Sequence, residues 1–185
     1  MLLDSLPRPM GVQANFGVID ATGCGAYFET SDSGYHRYYV GDSEAVVCTN
    51  YSRSGGMTGR LGIARERTAD RLLGSKPRIS REVLLDTLSR RFFHPVSGAD
   101  LLDMGVREIE DNGDYIPRYT STASIVIEAI PSESGDGSGY VMWTLLGYPP
   151  CADEYKVTFG DIPAEVRRGA GGPAPAECMS GECKA

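Results

Sequence analysis

Two stretches of the chain carry side chains whose types and spacing could do chemistry. The first is Thr49-Asn50-Tyr51-Ser52, where an apolar run gives way to a polar loop. A carboxamide at the end of a strand has its backbone fixed by the sheet, so Asn50 could donate a hydrogen bond to a developing oxyanion. Asparagine also starts turns, and taken alone Asn50 reads more simply as that. Arg65 follows on a helix, where it could orient a carboxylate or acyl substrate or simply point into solvent. The second stretch is Asp114-Tyr-Ile-Pro-Arg118-Tyr119-Thr-Ser-Thr-Ala-Ser124, followed later by Trp143-Thr-Leu-Leu-Gly-Tyr-Pro-Pro150. These polar and aromatic residues flank what should be neighbouring strands, and they could line a pocket or serve as ordinary packing.

Other chemistries find little support. The sequence has no Gly-x-Ser-x-Gly elbow, no His-Glu-x-x-His helix and no phosphate loop ending in Gly-Lys-Ser/Thr. The glycine-rich run Gly55–Gly62 lacks that lysine and reads as a mobile loop. His36 and His94 read as surface residues. Cys24, Cys48, Cys151, Cys178 and Cys183 are odd in number and irregularly spaced, which argues against a disulfide framework. Cys48, in the run Ala45-Val-Val-Cys48, reads as a small buried hydrophobe. Cys178 and Cys183 would need two further ligands to hold a metal, and no histidine is suitably spaced. Neither a metal nor a cofactor is expected.

The elements that must position these residues can be read from periodicity and turn signals. Residues 15–20 and 26–30 read as strands joined by Ala21-Thr-Gly-Cys-Gly25, and Tyr35–Val40 follows the turn Asp32-Ser-Gly34. Ala45–Thr49 reads as a fourth strand. A helix over 62–73 is expected to stop at Gly74, and Ser80 can cap a second over about 81–93 with Leu84, Leu88 and Phe92 on one stripe. Residues 94–117 read as irregular, with a long loop. Ser121–Ile130 and Tyr140–Leu146 read as a hairpin around the loop Ser132–Gly139, and Tyr155–Phe159 as a last strand. The order predicts an α+β protein with helices on antiparallel sheet. Residues 1–168 form one domain in this reading, and 169–185 a Gly/Pro/Ala-rich truncated tail too short for a useful helix. Both ends look cut.

The chain has 185 residues, 41% hydrophobic and 23% charged, the balance of a soluble globular protein. Its formal net charge of -7 would repel phosphate backbones, and the arginines at 53, 60, 65, 67 and 71 are diluted by Glu66 and Asp70, so no nucleic-acid partner is expected. No apolar run has the roughly 20 residues of a membrane span. No targeting signal is evident, which makes the cytoplasm the default compartment.

Taken together, Asn15-Phe-Gly-Val-Ile-Asp-Ala-Thr-Gly, Ala26-Tyr-Phe-Glu, Thr49-Asn50, Arg65-Glu-Arg, Ile116-Pro-Arg-Tyr119 and Trp143–Pro150 resemble the linear-amide C–N hydrolases. That group includes the choloylglycine hydrolases and the acyl-coenzyme A:6-aminopenicillanic-acid acyltransferases, and the likeness covers roughly residues 11–168. The resemblance implies an N-terminal-nucleophile fold, an αββα sandwich of stacked antiparallel sheets, here incomplete. It implies attack on a linear amide or acyl substrate by a processed N-terminal cysteine, whose α-amine is the base. By position it implies Asn50 and Arg65 as catalytic residues and Tyr51, Arg118 and Tyr119 as substrate contacts. The family's nucleophile would lie upstream of Asn15, where this sequence has no cysteine. The chain is therefore expected to be inactive alone, with the missing segment supplied in cis or in trans. A non-catalytic binding protein is the alternative.

Overall fold

Glycine-punctuated, alternating runs form antiparallel hairpins, and the computed structural model places two such meanders in two compact units, 1–62 and 63–185. It describes residues 2–11, 13–20, 22–41, 45–54, 62–106, 113–130, 139–168 and 172–184. The protein is α+β with antiparallel sheets, as its pattern of elements predicts. The division at 62/63 falls inside the span read from sequence as one domain.

The N-terminal unit opens with a short helix, α1 (Leu2–Ser5), and continues into β1 (Asn15–Ile19), β2 (Gly25–Thr30) and β3 (Tyr35–Val40). These pair in the order β1-β2-β3, with Asn15 opposite Glu29 and Glu29 opposite His36. Asp20 builds the first turn: its carboxylate accepts from the Thr22 hydroxyl (2.6 Å) and from the backbone N–H groups of Thr22 and Cys24. The expected fourth strand at 45–49 is not one. It joins no sheet among the described residues, and side chains take its carbonyls: Asn15 Nδ2 donates to Thr49 O (3.0 Å) and Arg53 Nη2 to Val47 O (2.7 Å).

The C-terminal unit begins with α2 (Ile63–Gly74), within a residue of expectation at each end. The second helix is shorter than its sequence suggests. Ser80 Oγ accepts from Val83 N–H, as a cap should, but Val83–Leu88 is a π-helical turn. Ser89 closes it by donating both N–H (3.0 Å) and hydroxyl (2.8 Å) to Leu84 O. The wider turn rotates the buried face, so Leu85 rather than Leu84 or Leu88 is fully enclosed. The chain then forms the hairpin β4 (Phe93–His94) and β5 (Ala99–Asp100), inside the stretch expected to be irregular. The main sheet comprises β6 (Ala123–Ala129), β7 (Tyr140–Leu146) and β8 (Glu154–Val157) in that order. Most of the loop between β6 and β7, like the glycine-rich run after Ser54, lies outside the described residues.

Leu85, Leu145 and Ala152 form the core of this unit, with Val126 and Trp143 packed against them. The tail is a correction: Pro175–Lys184 is a ten-residue helix, α3. Pro175 occupies its first turn, and Glu177 reaches back to accept from Ala174 N–H at 3.0 Å, half of a capping box. Ser180, only 1% exposed, fits against Gly147, where the positive φ of 93° and the missing Cβ let the helix approach. Cys151 is disulfide-bonded, against the expectation from cysteine spacing, while Cys24, Cys48 and Cys178 are in no disulfide. An odd total requires only one unpaired thiol, so the count was a weak guide.

Candidate functional site

Asn50 lies where the end of β2 and the start of β1 meet the irregular segment 45–54. An open cleft of about 510 Å³ is lined there by Gln13, Asn15, Thr30, Thr49, Asn50 and Tyr51, with Ala14, Ser31 and Ser52 completing the wall. Every lining residue belongs to the N-terminal unit. None is charged, and the wall is rich in carboxamides and hydroxyls.

The turn that carries Asn50 is held from both sides. On one side Asn15 Nδ2 donates to the carbonyls of Thr49 (3.0 Å) and Tyr51 (3.5 Å), while Thr49 Oγ1 donates to Gly62 O (3.1 Å). On the other, the Glu29 carboxylate, only 2% exposed, accepts from Arg53 N–H (2.8 Å), Ser54 N–H (2.9 Å) and Ser52 Oγ (3.1 Å). Alternation along β2 puts Glu29 on the same face as Tyr27, so its carboxylate reaches the loop rather than water. Burial alone would push this carboxyl's pKa up. The hydrogen bonds donated by Arg53, Ser54 and Ser52 outweigh it and hold the group below the usual carboxylate range. The net result is a buried anion whose bonds fix residues 52–54.

Tyr27 and Tyr38 stand across the sheet from one another with ring centroids 6.0 Å apart, and Tyr38 Oη lies 3.5 Å from Glu29 Oε2. Tyr27 is buried, and burial first, then the neighbouring Cys48 side chain and the Glu29 charge, raise its phenol well above the ordinary value. A protonated phenol beside a carboxylate is the arrangement a buried anion favours.

The structure brings two of the sequence-derived site residues together: Asn50 and Tyr51 share one cleft. The other three belong to the C-terminal unit. Arg65 is 7% exposed on the first turn of α2, with Nη1 donating to Gly113 O. Arg118 forms a turn with Ser121, whose Oγ accepts Arg118 N–H (3.0 Å) and whose N–H donates to Arg118 O (2.8 Å). Tyr119 on that turn is exposed. The same stretch packs Tyr115 edge-on against Phe92 at 5.8 Å and against His94 at 5.9 Å.

Glu29 is the residue that site reasoning from sequence missed. Its signal was present: a carboxylate in the inward phase of a β-strand, two residues after an aromatic, must find buried donors. Among the described residues, no group of three or more His, Cys, Asp or Glu side chains could hold a metal ion. No helix of the described residues is long and apolar enough to cross a membrane. No protein-family model, curated protein or solved structure matches the chain.

Proposed function

We propose that the cleft at Asn50 recognises a linear amide, and that the chain supplies the amide-binding part of a cysteine N-terminal-nucleophile hydrolase or acyltransferase. The observation that carries this reading is the doubly clamped turn. Asn15 and Glu29 fix the backbone on both sides of Asn50, so the residue is presented at the cleft from a turn held before a ligand arrives. Preorganised donors of this kind stabilise a developing oxyanion without reorganisation in the transition state. A wall of neutral donors and acceptors matches the C=O and N–H of an amide better than a charged ligand. Tyr51 would contact the acyl or amine side. The αββα stacking and the roles of Arg65, Arg118 and Tyr119 belong to the same proposal through the sequence resemblance, and the cleft does not depend on them.

In the complete enzyme a cysteine thiolate would attack the carbonyl carbon while Asn50 donates to the oxygen. The C–N bond would then break, the amine leaving with a proton, and water or an amine would take the acyl group. The cleft's lining contains no cysteine and no histidine. That composition favours a second reading, an amide-binding module without chemistry of its own. Incubation of the purified chain with an acyl p-nitroanilide tests what the two readings share, that the nucleophile is not in this chain. Both readings predict no release of p-nitroaniline by the chain alone. Release that disappears in Asn50→Ala would show that the chain carries its own nucleophile and overturn the assignment.

A further inference from the structure

We propose that the groove along the outer edge of β6 binds an extended peptide segment that carries a carboxylate. Among the described residues β6 pairs only with β7, through all of Ala123–Ala129, and stands at the edge of its sheet. An open groove of about 450 Å³ runs beside it. Three successive β6 residues, Val126, Ile127 and Glu128, line one wall. Side chains alternate faces along a strand, so a groove touching three in a row runs along the strand's edge, where backbone N–H and C=O groups project. Arg78, Ile79 and Leu84, from outside the sheet, also line the groove.

The chemistry of the lining selects the occupant. Unpaired strand edges are usually blunted by lysine, proline or a bulge, and the β6 sequence Ala-Ser-Ile-Val-Ile-Glu-Ala has neither residue. Ile125 and Ile127 are each 55% exposed, which offers apolar contact to alternate side chains of an added strand. Three of the four charged residues lining the groove are already engaged within the unit. Arg81 lies 3.8 Å over the Trp143 ring and pairs with Glu82 and Glu154, and Glu128 accepts from Trp143 Nε1 at 3.1 Å. Arg78 is exposed and makes no ion pair among the described residues. The cation that remains for a ligand is therefore Arg78. An extended chain supplies backbone partners for β6, apolar side chains at every second position, and an acidic residue for Arg78. This site is separate from the cleft at Asn50 and does not rest on the amide-binding reading.

The test is fluorescence anisotropy on the full chain with a fluorescein-labelled hexapeptide of alternating valine and threonine ending in glutamate. Amide shifts of the ¹⁵N-labelled protein locate the contact. Saturable binding is expected, with shifts concentrated in β6 and residues 78–84. Arg78→Ala should weaken it about two- to fivefold, the worth of a solvent-exposed ion pair, and replacing the peptide's glutamate and terminal carboxylate with amides should do the same. Ile127→Lys, at a half-exposed position that tolerates the change in folding, should abolish it. Absence of saturable binding, equal binding by both variants, or equal binding of a peptide interrupted by proline would overturn the proposal. Concentration-dependent dimerisation that shifts the β6 amides would also overturn it, since a second copy would then be the occupant.

Discussion

The sheets β1-β2-β3 and β6-β7-β8 have the same three-stranded antiparallel order, yet their interiors differ in kind. In the N-terminal unit the most enclosed strand residues are Tyr27, Glu29 and Thr30; the Glu29 carboxylate accepts from residues 52–54, the Tyr27 phenol neighbours Cys48, and the Thr30 hydroxyl bonds the Ala14 backbone. In the C-terminal unit a hydrophobic cluster of Leu85, Leu145 and Ala152, with Val126 and Trp143 packed against it, forms the core, and buried Thr68, Thr144 and Ser180 belong to the same unit. A buried carboxylate contributes to stability only when its donors are aligned, whereas a buried leucine contributes by area whatever its orientation. The second sheet therefore spends its interior on packing, and the first on fixing a loop. Polar interiors of that sort are expected where a site must be held rigid.

The contrast can be broken most forcefully at Leu145, which has no exposed surface. Leu145→Ala should cost about 2–5 kcal/mol, through lost burial and the cavity left behind. Trp143 is the only tryptophan, so its fluorescence during urea unfolding reports on the C-terminal unit. A shift in that transition below 1 kcal/mol, on the order expected of a surface change, would deny the leucine core its role.

Next comes Gly147→Ala. A Cβ there would collide with the Ser180 side chain and meet Glu177 Cα at 3.3 Å, in a backbone conformation that alanine rarely adopts. Overpacking and strain together should cost about 2–4 kcal/mol. Hydrogen exchange in α3 should rise before exchange in β7 does.

Glu29→Gln addresses the other interior. The replacement keeps the shape but sets an NH₂ group against donors that now bond the carboxylate. Loss of charge-assisted hydrogen bonds should cost about 2 kcal/mol. The effect should appear as faster amide exchange at Arg53 and Ser54, with the Trp143 transition little changed. A shift of the Trp143 transition as large as the loss of protection would erase the contrast between the units.

The smallest effect expected is that of acid. Because the folded pKa of Glu29 lies below its unfolded value, its stabilisation is complete above the unfolded carboxylate pKa of about 4.3 and is lost as pH falls through the folded value. Wild-type protection at Arg53 and Ser54 should therefore fall as the pH is taken below the unfolded carboxylate range, while Glu29→Gln stays flat over that contribution. Parallel curves for the two proteins would place the pH response elsewhere.

Much of the fold was legible because local rules suffice for hairpins. Alternation together with Gly23, Gly25 and Gly34 announced the first meander, and Gly74 the end of α2. Residues 45–49 misled because strand-like composition does not supply a strand partner; the carbonyls there are taken by Asn15 and Arg53 instead. The π-helical turn was hidden for a similar reason, since Ser89 decides it by bonding five residues back. Helix α3 depends on the notch at Gly147, more than 25 residues away in sequence, as Gly147–Ser180 packing shows. Asn50 and Tyr51 could be singled out by position at the edge of a polar loop. Glu29 could not be given its role, because the donors it binds lie 23–25 residues further along the chain.

The central claim is that Asn50 is held ready for an amide by Asn15 and Glu29. Titration of the ¹⁵N-labelled chain with N-acetylglycinamide, followed through the side-chain NH₂ resonances of Asn50 and Gln13 and the amides of residues 49–52, tests it most directly. Saturable shifts at these positions are predicted, absent with sodium acetate, lost in Asn50→Ala and weakened in Glu29→Gln. Shifts that are absent from the cleft, or that persist unchanged in Asn50→Ala, would contradict the account.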